Sequence, residues 1–475
     1  MSSVSDSNEI RKPRKGDIVE LIIEDTGSEG AGIGRLNGFV VHVSETVTGD
    51  HIKAVVNKVK KNYADAGLIE IIKPSEHRTR PECLHFKYCN GCKIQHVKYE
   101  TQLKIKKNIV HNALGRIAEL QEIYLPDVLP ADNKYFYRNK LEFSFSSQRW
   151  YLPEEPDNNV NKDFALGFRL PGFHEKILDI NDCRLQSTLS NRILNFTRDF
   201  FKSRNATVYS TLTHSGLLRY LVIRQSANTN DLMINLVTTY YDNQLMNEYT
   251  INITKEIPEI TSLINSFSST KAQAVIIDSY RVLYGKEYIE EKIGRYKFRI
   301  PPAGFFQTNS KGAEILYNTL IKLACFNGND KVLDLYCGCG AISVYISGYV
   351  KKVVGVELNN DAVTFAKLNA GLNGTENCTF VCSDVRDYMN MLCRNEIKFN
   401  VVVIDPPRSG LHPDVIRALM KFCPSKIIYV SCNPATQARD IKQMKDNYMI
   451  TGVQPVDMFP QTLHVENIVV LEKRN

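Results

Sequence analysis

Two short apolar runs in the C-terminal part of this chain constrain its fold more than any other feature. The runs VVVI at 401–404 and IIYV at 427–430 are rich in β-branched residues and end abruptly, in DPPRSG and in SCNP. Both runs predict buried strands of a parallel sheet. In open α/β sheets, ligands bind beyond the carboxyl ends of the strands. Asp405 and Cys432 therefore offer a carboxylate and a thiol to the same cleft.

Strands and helices alternate after Pro302, which predicts a doubly wound, Rossmann-like α/β domain over residues 302–475. The loop DLYCGCG follows a predicted strand and opens a helix, so its glycines allow a ligand to approach the backbone. Glu357 ends the next predicted strand, where an acid can bind ribose hydroxyls. A dinucleotide site shares this pattern, but Ser343 occupies the position of the third glycine in GxGxxG. The loop therefore favours S-adenosylmethionine over NAD, and Asp384, ending a later strand, is placed for the adenine amino group.

The motifs DPPRSG and SCNP, together with His464-x-Glu466, resemble those of the RNA (uracil-5-)-methyltransferases. The resemblance implies methyl transfer from S-adenosylmethionine to C5 of uracil, which is a poor nucleophile until a thiolate adds to C6. It implies that Cys432 is the nucleophile, that Glu466 is the base, and that Asp405 orients the uracil edge or the cofactor. The other site residues are the cofactor contacts Gln307, Tyr336, Glu357, Asp384 and Asp405, and the substrate contacts Arg138 and Phe305, with Phe306 as the alternative to Phe305.

The N-terminal part of the chain predicts a small RNA-binding barrel after a basic leader. Residues 1–15 are polar and predict a disordered leader, whereas residues 16–75 contain short β-rich runs between turns. The stretch GSEGAGIGRLNGFVVHV resembles a TRAM domain, an OB-like RNA-binding module. Residues 51–116 hold 14 Lys and Arg against 5 Asp and Glu. This excess suggests a phosphate-backbone partner, although a solvated basic surface has the same composition.

Three cysteines with the spacing Cys83-x5-Cys89-x2-Cys92 lie among polar residues, where packing does not explain them. Thiolates this close repel one another unless a cation shares their charge, so the spacing predicts a metal site. Four sulfurs suit zinc or an iron–sulfur cluster, with nearby histidines as alternative zinc ligands. The resemblance implies a [4Fe-4S] cluster on Cys83, Cys89 and Cys92, with Cys183 as the fourth ligand.

Between the barrel and residue 302 we predict a central α+β domain, formed by residues 76–96 and 132–301, that carries the cluster and contacts RNA. Runs such as LRYLVIRQS and DLMINLVTTY predict strands whose Tyr and Arg suit single-stranded RNA, although ordinary strand faces look the same. Apolar residues at helical spacing predict an amphipathic helix over residues 97–120. We expect the segment 97–131 to pack on the catalytic domain.

Composition and hydropathy exclude several classes of protein. The first residues have no apolar signal region and no run of 18 apolar residues occurs, so the sequence predicts a cytoplasmic protein without a membrane partner. Twelve cysteines without an export signal indicate thiols or metal ligands, not disulfides.

The predicted function is methylation of a specific uridine in 23S rRNA, because the usual bacterial tRNA enzyme of this family lacks the barrel and the cluster. No obligate protein partner is expected.

Three alternatives remain open at this point. The first is the T-loop tRNA (uracil-5-)-methyltransferase of the same family. The second is an RNA cytosine-5 methyltransferase, which shares the cysteine chemistry but not the His464-x-Glu466 motif. The third is a non-catalytic RNA-binding iron–sulfur protein, against which the intact set of Cys432, Asp405 and Glu466 argues.

Overall fold

The computed structural model describes residues 12–27, 29–152, 155, 164–170, 173 and 175–474. Most of the predicted leader therefore lies outside the described residues. The chain divides into two compact units. The first consists of Met1–Lys87, Gly91–Ile109 and Pro460–Leu463, and the second of Tyr88–Asn90, Val110–Phe459 and His464–Asn475. Among the helices that the structure describes, none combines the length and hydropathy that a membrane span requires.

The N-terminal strands form a closed barrel, as the spacing of the short β-rich runs predicts. They are β1 (Ile18–Thr26), β2 (Gly32–Leu36), β3 (Phe39–Val43), β4 (His51–Val59) and β5 (Tyr63–Lys73). The strand order is β1-β2-β3-β5-β4, and β1 pairs with β4 to close the barrel. Alternate residues of β1, among them Val19, Leu21 and Ile23, are buried in its core.

A buried ion pair ties the chain after β5 to this barrel. Asp50 is fully buried, and the Arg78 guanidinium donates to its carboxylate at 2.7 to 3.0 Å. The backbone N–H groups of Val47 and Ser75 donate to the same carboxylate at 2.6 and 2.9 Å. Removing one partner of a buried pair leaves an uncompensated charge, so the barrel folds together with the segment that reaches Arg78.

In the middle of the chain, the residues that the structure describes form a second sheet, a hairpin and three helices. The strands are β6 (Lys140–Ser146), β7 (Arg149–Trp150), β8 (Ala165–Arg169), β9 (Ile177–Asp179), β10 (Leu218–Gln225), β11 (Leu232–Thr238), β12 (Ser262–Phe267), β13 (Ser279–Gly285), β14 (Ile289–Ile293) and β15 (Tyr296–Ile300). The helices are α1 (Tyr99–Asn112), continued by a π-helical turn at Ala113–Ile117, α2 (Thr188–Ser203) and α3 (Asn243–Glu256). The sheet order is β13-β12-β11-β10-β6-β8-β9-β7, with β14 and β15 as a separate hairpin. Phe201 of α2 and Tyr249 of α3 pack into the core of the eight-stranded sheet.

The C-terminal sheet has seven strands in the order β18-β17-β16-β19-β20-β22-β21. They are β16 (Lys331–Leu335), β17 (Lys352–Glu357), β18 (Cys378–Cys382), β19 (Val401–Ile404), β20 (Lys426–Ser431), β21 (Tyr448–Val456) and β22 (Glu466–Lys473). The helices are α4 (Ser310–Ala324), α5 (Ala341–Ile346), α6 (Asn360–Leu372), α7 (Val385–Arg394), α8 (Pro413–Phe422) and α9 (Pro434–Met444). Strands β16 to β20 run parallel, and the strand order reverses between β16 and β19. A crevice opens at such a reversal, beyond the carboxyl ends of the strands.

The predicted doubly wound domain is confirmed. The late runs MITGVQPVDMF and HVENIVVLEK predict an antiparallel pair at the edge of the sheet, and they form β21 and β22 there. One detail of the central region differs from expectation. The run AVIIDSY predicts a strand from residue 274, whereas β13 begins only at Ser279. Asp278 accepts two hydrogen bonds from Ser269 at 2.7 Å, and this turn delays the start of the strand.

Candidate active site

A cavity of about 1,050 Å³ opens where the strand order of the C-terminal sheet reverses. The predicted catalytic, cofactor and substrate residues all line it. They are Arg138, Phe305, Gln307, Tyr336, Glu357, Asp384, Asp405, Cys432 and Glu466. A cavity of this size lies at the upper end of the range for ligand pockets, about 300 to 1,000 Å³.

One half of the cavity is built by the glycine-rich turn after β16. Tyr336 and Gly340 have φ angles of 65° and 80°, so the backbone curls in the left-handed region. A Cβ on Gly340 would lie 2.9 Å from the Phe380 ring, so only glycine fits there. The Glu357 carboxylate accepts from the backbone N–H groups of Gly338 and Asn359 at 3.2 and 2.9 Å, which fixes it at the rim of the turn. These contacts fit an adenosine ribose held between the turn and Glu357.

The serine in place of the third glycine has a structural partner. The Ser343 hydroxyl donates to the Asp334 carboxylate at 2.5 Å beneath the turn. Burial raises the pKa of Asp334 to about 7, although the bond from Ser343 opposes that rise. At the far side, Asp384 accepts from the Arg386 guanidinium at 3.0 and 3.1 Å, which lowers the pKa of Asp384. Asp384 therefore stays ionised, but part of its acceptor capacity is used by Arg386.

The other half of the cavity joins a thiol and two carboxyls from three neighbouring strands. Asp405 follows β19, Cys432 follows β20, and Glu466 begins β22. Strand β22 runs antiparallel to β20 and pairs Ser431 with Asn467, so its first residue meets the last residues of β20. An antiparallel strand thus brings a carboxyl from its amino end to the carboxyl ends of parallel strands.

Burial sets the protonation of these three groups. It raises the pKa of Asp405 to about 7, and together with the charge of Asp405 it raises the pKa of Glu466 to about 8. Burial is also the main cause that raises the pKa of the Cys432 thiol to about 11, followed by the charge of Glu466. The carboxyls therefore exchange protons near neutral pH, and the thiol ionises more readily when Glu466 is neutral.

Arg408 is the residue of this site that the sequence reasoning missed. Its positive charge lowers the pKa of both Cys432 and Glu466 and so opposes the rise that burial causes. One guanidinium nitrogen lies 2.8 Å from the His464 ring nitrogens. Asn433 donates to the Arg408 carbonyl at 3.0 Å, which fixes the backbone. The signal was present in the sequence, because Arg408 belongs to the DPPRSG motif itself.

The loop between β15 and α4 separates its two phenylalanines. Both line the cavity, but Phe305 is 67% exposed, whereas Phe306 is 3% exposed and packs on Phe298 with ring centroids 5.4 Å apart. Asn139 donates to the Gln307 carbonyl at 3.0 Å, and Arg224 donates to the Gly304 carbonyl at 2.8 Å. Of the two phenylalanines, Phe305 is therefore the one that can meet a base.

The four cysteines predicted as cluster ligands are not assembled into a metal site. Across the described residues, no group of three or more His, Cys, Asp or Glu side chains could hold a metal ion. Cys89 and Cys183 are half-buried and pack against the core of the central sheet. The structure therefore supports neither the [4Fe-4S] cluster nor the zinc alternative.

Two family models match the chain. The TRAM domain matches residues 12–69, and the tRNA (Uracil-5-)-methyltransferase family matches residues 226–474, more than half of the chain. An uncharacterised RNA methyltransferase from Chlorobaculum tepidum is 38% identical over 482 aligned residues and covers 100% of both chains. Another from Clostridium tetani is 36% identical, with coverage of 96% of this chain and 97% of that one.

A solved structure matches nearly the whole chain. The tRNA (uracil-54, C5)-methyltransferase of Pyrococcus abyssi, in complex with S-adenosyl-L-homocysteine, superimposes with a TM-score of 0.72 and 26% identity. The superposition covers 95% of this chain and 100% of that one. The likeness therefore extends over both the barrel and the C-terminal sheet.

Proposed function

The chain belongs to the tRNA (uracil-5-)-methyltransferase family, and from this premise we propose that Cys432 adds to C6 of a uridine in RNA before C5 is methylated. Its family makes it an S-adenosylmethionine-dependent RNA methyltransferase. One observation carries the proposal for the mechanism. Cys432, Asp405 and Glu466 converge in the cavity that also contains Glu357 and Gln307.

The four polar groups at the strand ends take separate roles in this proposal. The Cys432 thiolate forms a bond to C6, and the electrons of the C5–C6 double bond move toward C5 and O4. Arg408 balances the thiolate charge, and Asp405 orients the uracil edge. Once C5 carries the methyl group that S-adenosylmethionine would supply, Glu466 removes the C5 proton, after which the sulfur–C6 bond breaks and the thiolate leaves.

S-adenosylmethionine would be held by the glycine-rich turn, with Tyr336, Glu357, Gln307 and Asp384 as its contacts, and it supplies the methyl group. The donor set fits this ligand, since the fixed Glu357 carboxylate suits ribose hydroxyls and the tight turn admits a close ligand. The target base must leave its stack to reach Cys432, and the exposed Phe305 ring can stack on it.

We propose 23S rRNA as the substrate, acted on in the cytoplasm, with tRNA as the second candidate. The presence of the barrel supports rRNA, because the usual bacterial tRNA enzyme of the family lacks it. The Pyrococcus abyssi structure favours the second candidate, since a tRNA enzyme covers 95% of this chain, barrel included.

Methylation of unmodified RNA by the purified protein tests this function. We expect labelled S-adenosylmethionine to yield 5-methyluridine in the large-subunit rRNA fraction, measured by nuclease digestion and mass spectrometry. Cys432→Ala should give none, whereas Cys325→Ala, which removes an exposed thiol outside the cavity, should keep full activity. 5-Methylcytidine as the product would overturn the assignment, and label found only in tRNA would select the second candidate.

We also propose that Cys83, Cys89, Cys92 and Cys183 bind a [4Fe-4S] cluster, which their spacing supports and the arrangement in the structure does not. No step of the reaction depends on it. Anaerobic protein should contain about four irons per chain and absorb visible light. Cys183→Ala should lose the colour and Cys325→Ala should keep it. Protein with no iron, or with one zinc per chain, would refute the cluster.

A further inference from the structure

A second, smaller cavity lies next to the catalytic one. Its volume is about 260 Å³, and Arg138 lines both cavities. Arg138 is held at this position by two hydrogen bonds, from its backbone N–H to the Leu185 carbonyl at 2.8 Å and from Nε to the Lys140 carbonyl at 2.9 Å. The volume is below the usual range for a complete ligand, about 300 to 1,000 Å³, and suits one base with its sugar edge.

The lining of this cavity has the chemistry that recognises single-stranded RNA. Phe136 offers an aromatic face, Arg138 and Lys311 offer positive charge, and Asn133 and Asn230 offer amide groups for a base edge. Asp132 is the one acidic residue on this lining, so the described lining keeps an excess of positive charge. Bases stack on aromatic rings while Arg and Lys contact phosphate, which is the usual mode of binding unpaired RNA.

Phe136 is held in a costly conformation at the edge of this cavity. Its φ is 54°, in the left-handed region that a bulky side chain rarely adopts, and its side chain is 43% exposed. The Phe136 N–H donates to the Arg184 carbonyl at 2.9 Å, which pins the backbone. Burial does not explain an exposed ring in a strained conformation, and strain of this kind concentrates at functional sites.

We propose that this second cavity binds a nucleotide next to the target uridine, with its base on Phe136 and its phosphate between Arg138 and Lys311. The proposal rests on the proposed function. When the target base leaves its stack to reach Cys432, its neighbours lose a stacking partner. Because Arg138 lines both cavities, a nucleotide beside a target base in the first cavity is within reach of the second. The subsite would replace the lost stacking and fix the register of the RNA.

An RNA hairpin with abasic residues tests the subsite. The hairpin carries the uridine that the wild-type protein methylates, and one abasic residue replaces in turn each of the three nucleotides on either side. We expect one abasic position to raise the KM for RNA by about 5- to 100-fold, the effect of one stacked base. Phe136→Gly should raise the KM for intact RNA similarly and add little on that abasic RNA, because both changes remove the same stacking interaction.

Phe136→Gly also separates this role from a structural one. Glycine adopts a φ of 54° without strain, so the melting temperature of the Phe136→Gly variant should stay within a few degrees of that of the wild type. The KM for S-adenosylmethionine should not change, and Tyr284→Ala, an exposed aromatic outside the cavity, should leave the KM for RNA unchanged. Equal effects of all abasic positions, or additive effects with Phe136→Gly, would overturn the subsite while 5-methyluridine still forms. A wild-type protein that forms no 5-methyluridine would overturn the proposed function as well.

Discussion

Glu466 is fully buried between a thiol and a second carboxyl, and this environment raises its pKa to about 8. A base with a pKa near the working pH transfers protons effectively. In the Glu466→Gln variant the Cys432 thiol should therefore still add to uracil, and C5 should still gain the methyl group. The reaction should then stop, because the C5 proton cannot leave. We expect turnover to fall by about 10²–10⁴-fold. A protein–RNA species that carries the labelled methyl group should accumulate on denaturing gels.

Glu472→Gln is the matched control for this variant. Glu472 lies near the other end of β22 and pairs with Lys426 at 3.4 Å, so its substitution should leave turnover normal. Normal turnover by Glu466→Gln would move the base to another residue, with His464 the next candidate. An adduct without the methyl group would place Glu466 earlier in the reaction, in orienting the uracil.

The reactivity of Cys432 should respond in opposite directions to its two charged neighbours. The Glu466 charge raises the pKa of the thiol and Arg408 lowers it. Glu466→Gln should therefore shift the pH profile of Cys432 alkylation by iodoacetamide to lower pH, and Arg408→Gln should shift it to higher pH. Peptide mass spectrometry of protein without RNA measures both rates, with the exposed Cys325 as the internal reference. Shifts of the same sign in both variants would contradict this arrangement of charges.

The sequence predicted which residues line the cavity but not how their charges are paired. Asp405, Cys432 and Glu466 adjoin apolar strands, and strand ends converge in a doubly wound fold. Arg408 lies in a recognised motif, yet His464 is 56 positions away and only the fold brings the two side chains together. Pairings across such separations depend on register, which the sequence pattern does not specify.

The loop between β15 and α4 is held by polar side chains of the central sheet. Asn139 Nδ2 donates to the Gln307 carbonyl and to the Ser310 hydroxyl, at 3.0 and 2.8 Å. Arg224, which is 3% exposed, holds the Gly304 carbonyl, and burial lowers the pKa of its guanidinium to about 10. These two residues position Gln307 from outside the catalytic domain.

Removing the Asn139 hydrogen bonds to this loop should weaken the binding of S-adenosylmethionine more than it slows the methyl-transfer step. Asn139→Ala leaves a buried carbonyl and a buried hydroxyl with fewer partners, a cost of about 1–3 kcal/mol. We expect the KM for S-adenosylmethionine to rise about tenfold while kcat falls less than threefold, measured by methyl transfer at saturating RNA. Asn228→Ala is the control, because Asn228 donates to the Lys292 carbonyl at 2.7 Å and does not contact the loop. Equal changes in the KM for S-adenosylmethionine in both variants would mean that Asn139 has only a structural role.

One helix of the middle of the chain was predicted from its periodicity, and two others were missed. The predicted helix over residues 97–120 corresponds to α1 and its π-helical turn. Helix α2 was missed although Ile193, Leu194, Thr197 and Phe201 repeat at helical spacing on its buried face, and Ser187 caps its start. Helix α3 has a weaker signal, because only Met246, Tyr249 and Ile253 are buried in a polar segment, and Asp242 caps its start.

The barrel should contribute affinity for RNA without affecting the cofactor. Lys58, Lys60 and Lys61 are exposed where β4 leads into β5. Replacing all three by Gln should weaken RNA binding and reduce its salt dependence, by about 0.7 in the log–log slope for each phosphate that is no longer neutralised. Filter binding across a range of salt concentrations measures the slope. Unlike deletion of the barrel, this variant keeps the buried Asp50–Arg78 pair.

Two exposed lysines of the C-terminal sheet provide the control for the barrel variant. Lys351 and Lys352 lie at the start of β17, at the amino end of the sheet and away from the cavity. Their replacement by Gln should leave the salt slope of RNA binding unchanged. An equal loss in both variants would mean that the barrel acts only through its overall charge.

The buried carboxyls also give the cavity a preference between the methyl donor and its product. S-adenosylmethionine carries a positive sulfonium, whereas S-adenosylhomocysteine is neutral at sulfur. A cation in the cavity favours the ionised forms of Asp334, Asp405 and Glu466, whose pKa values lie at about 7, 7 and 8 without it. Donor binding should therefore release protons and strengthen as the pH rises through this range, while product binding should change little. We therefore expect loss of the charge at each turnover to weaken the hold on the product, which titration calorimetry of both ligands across this pH range would measure.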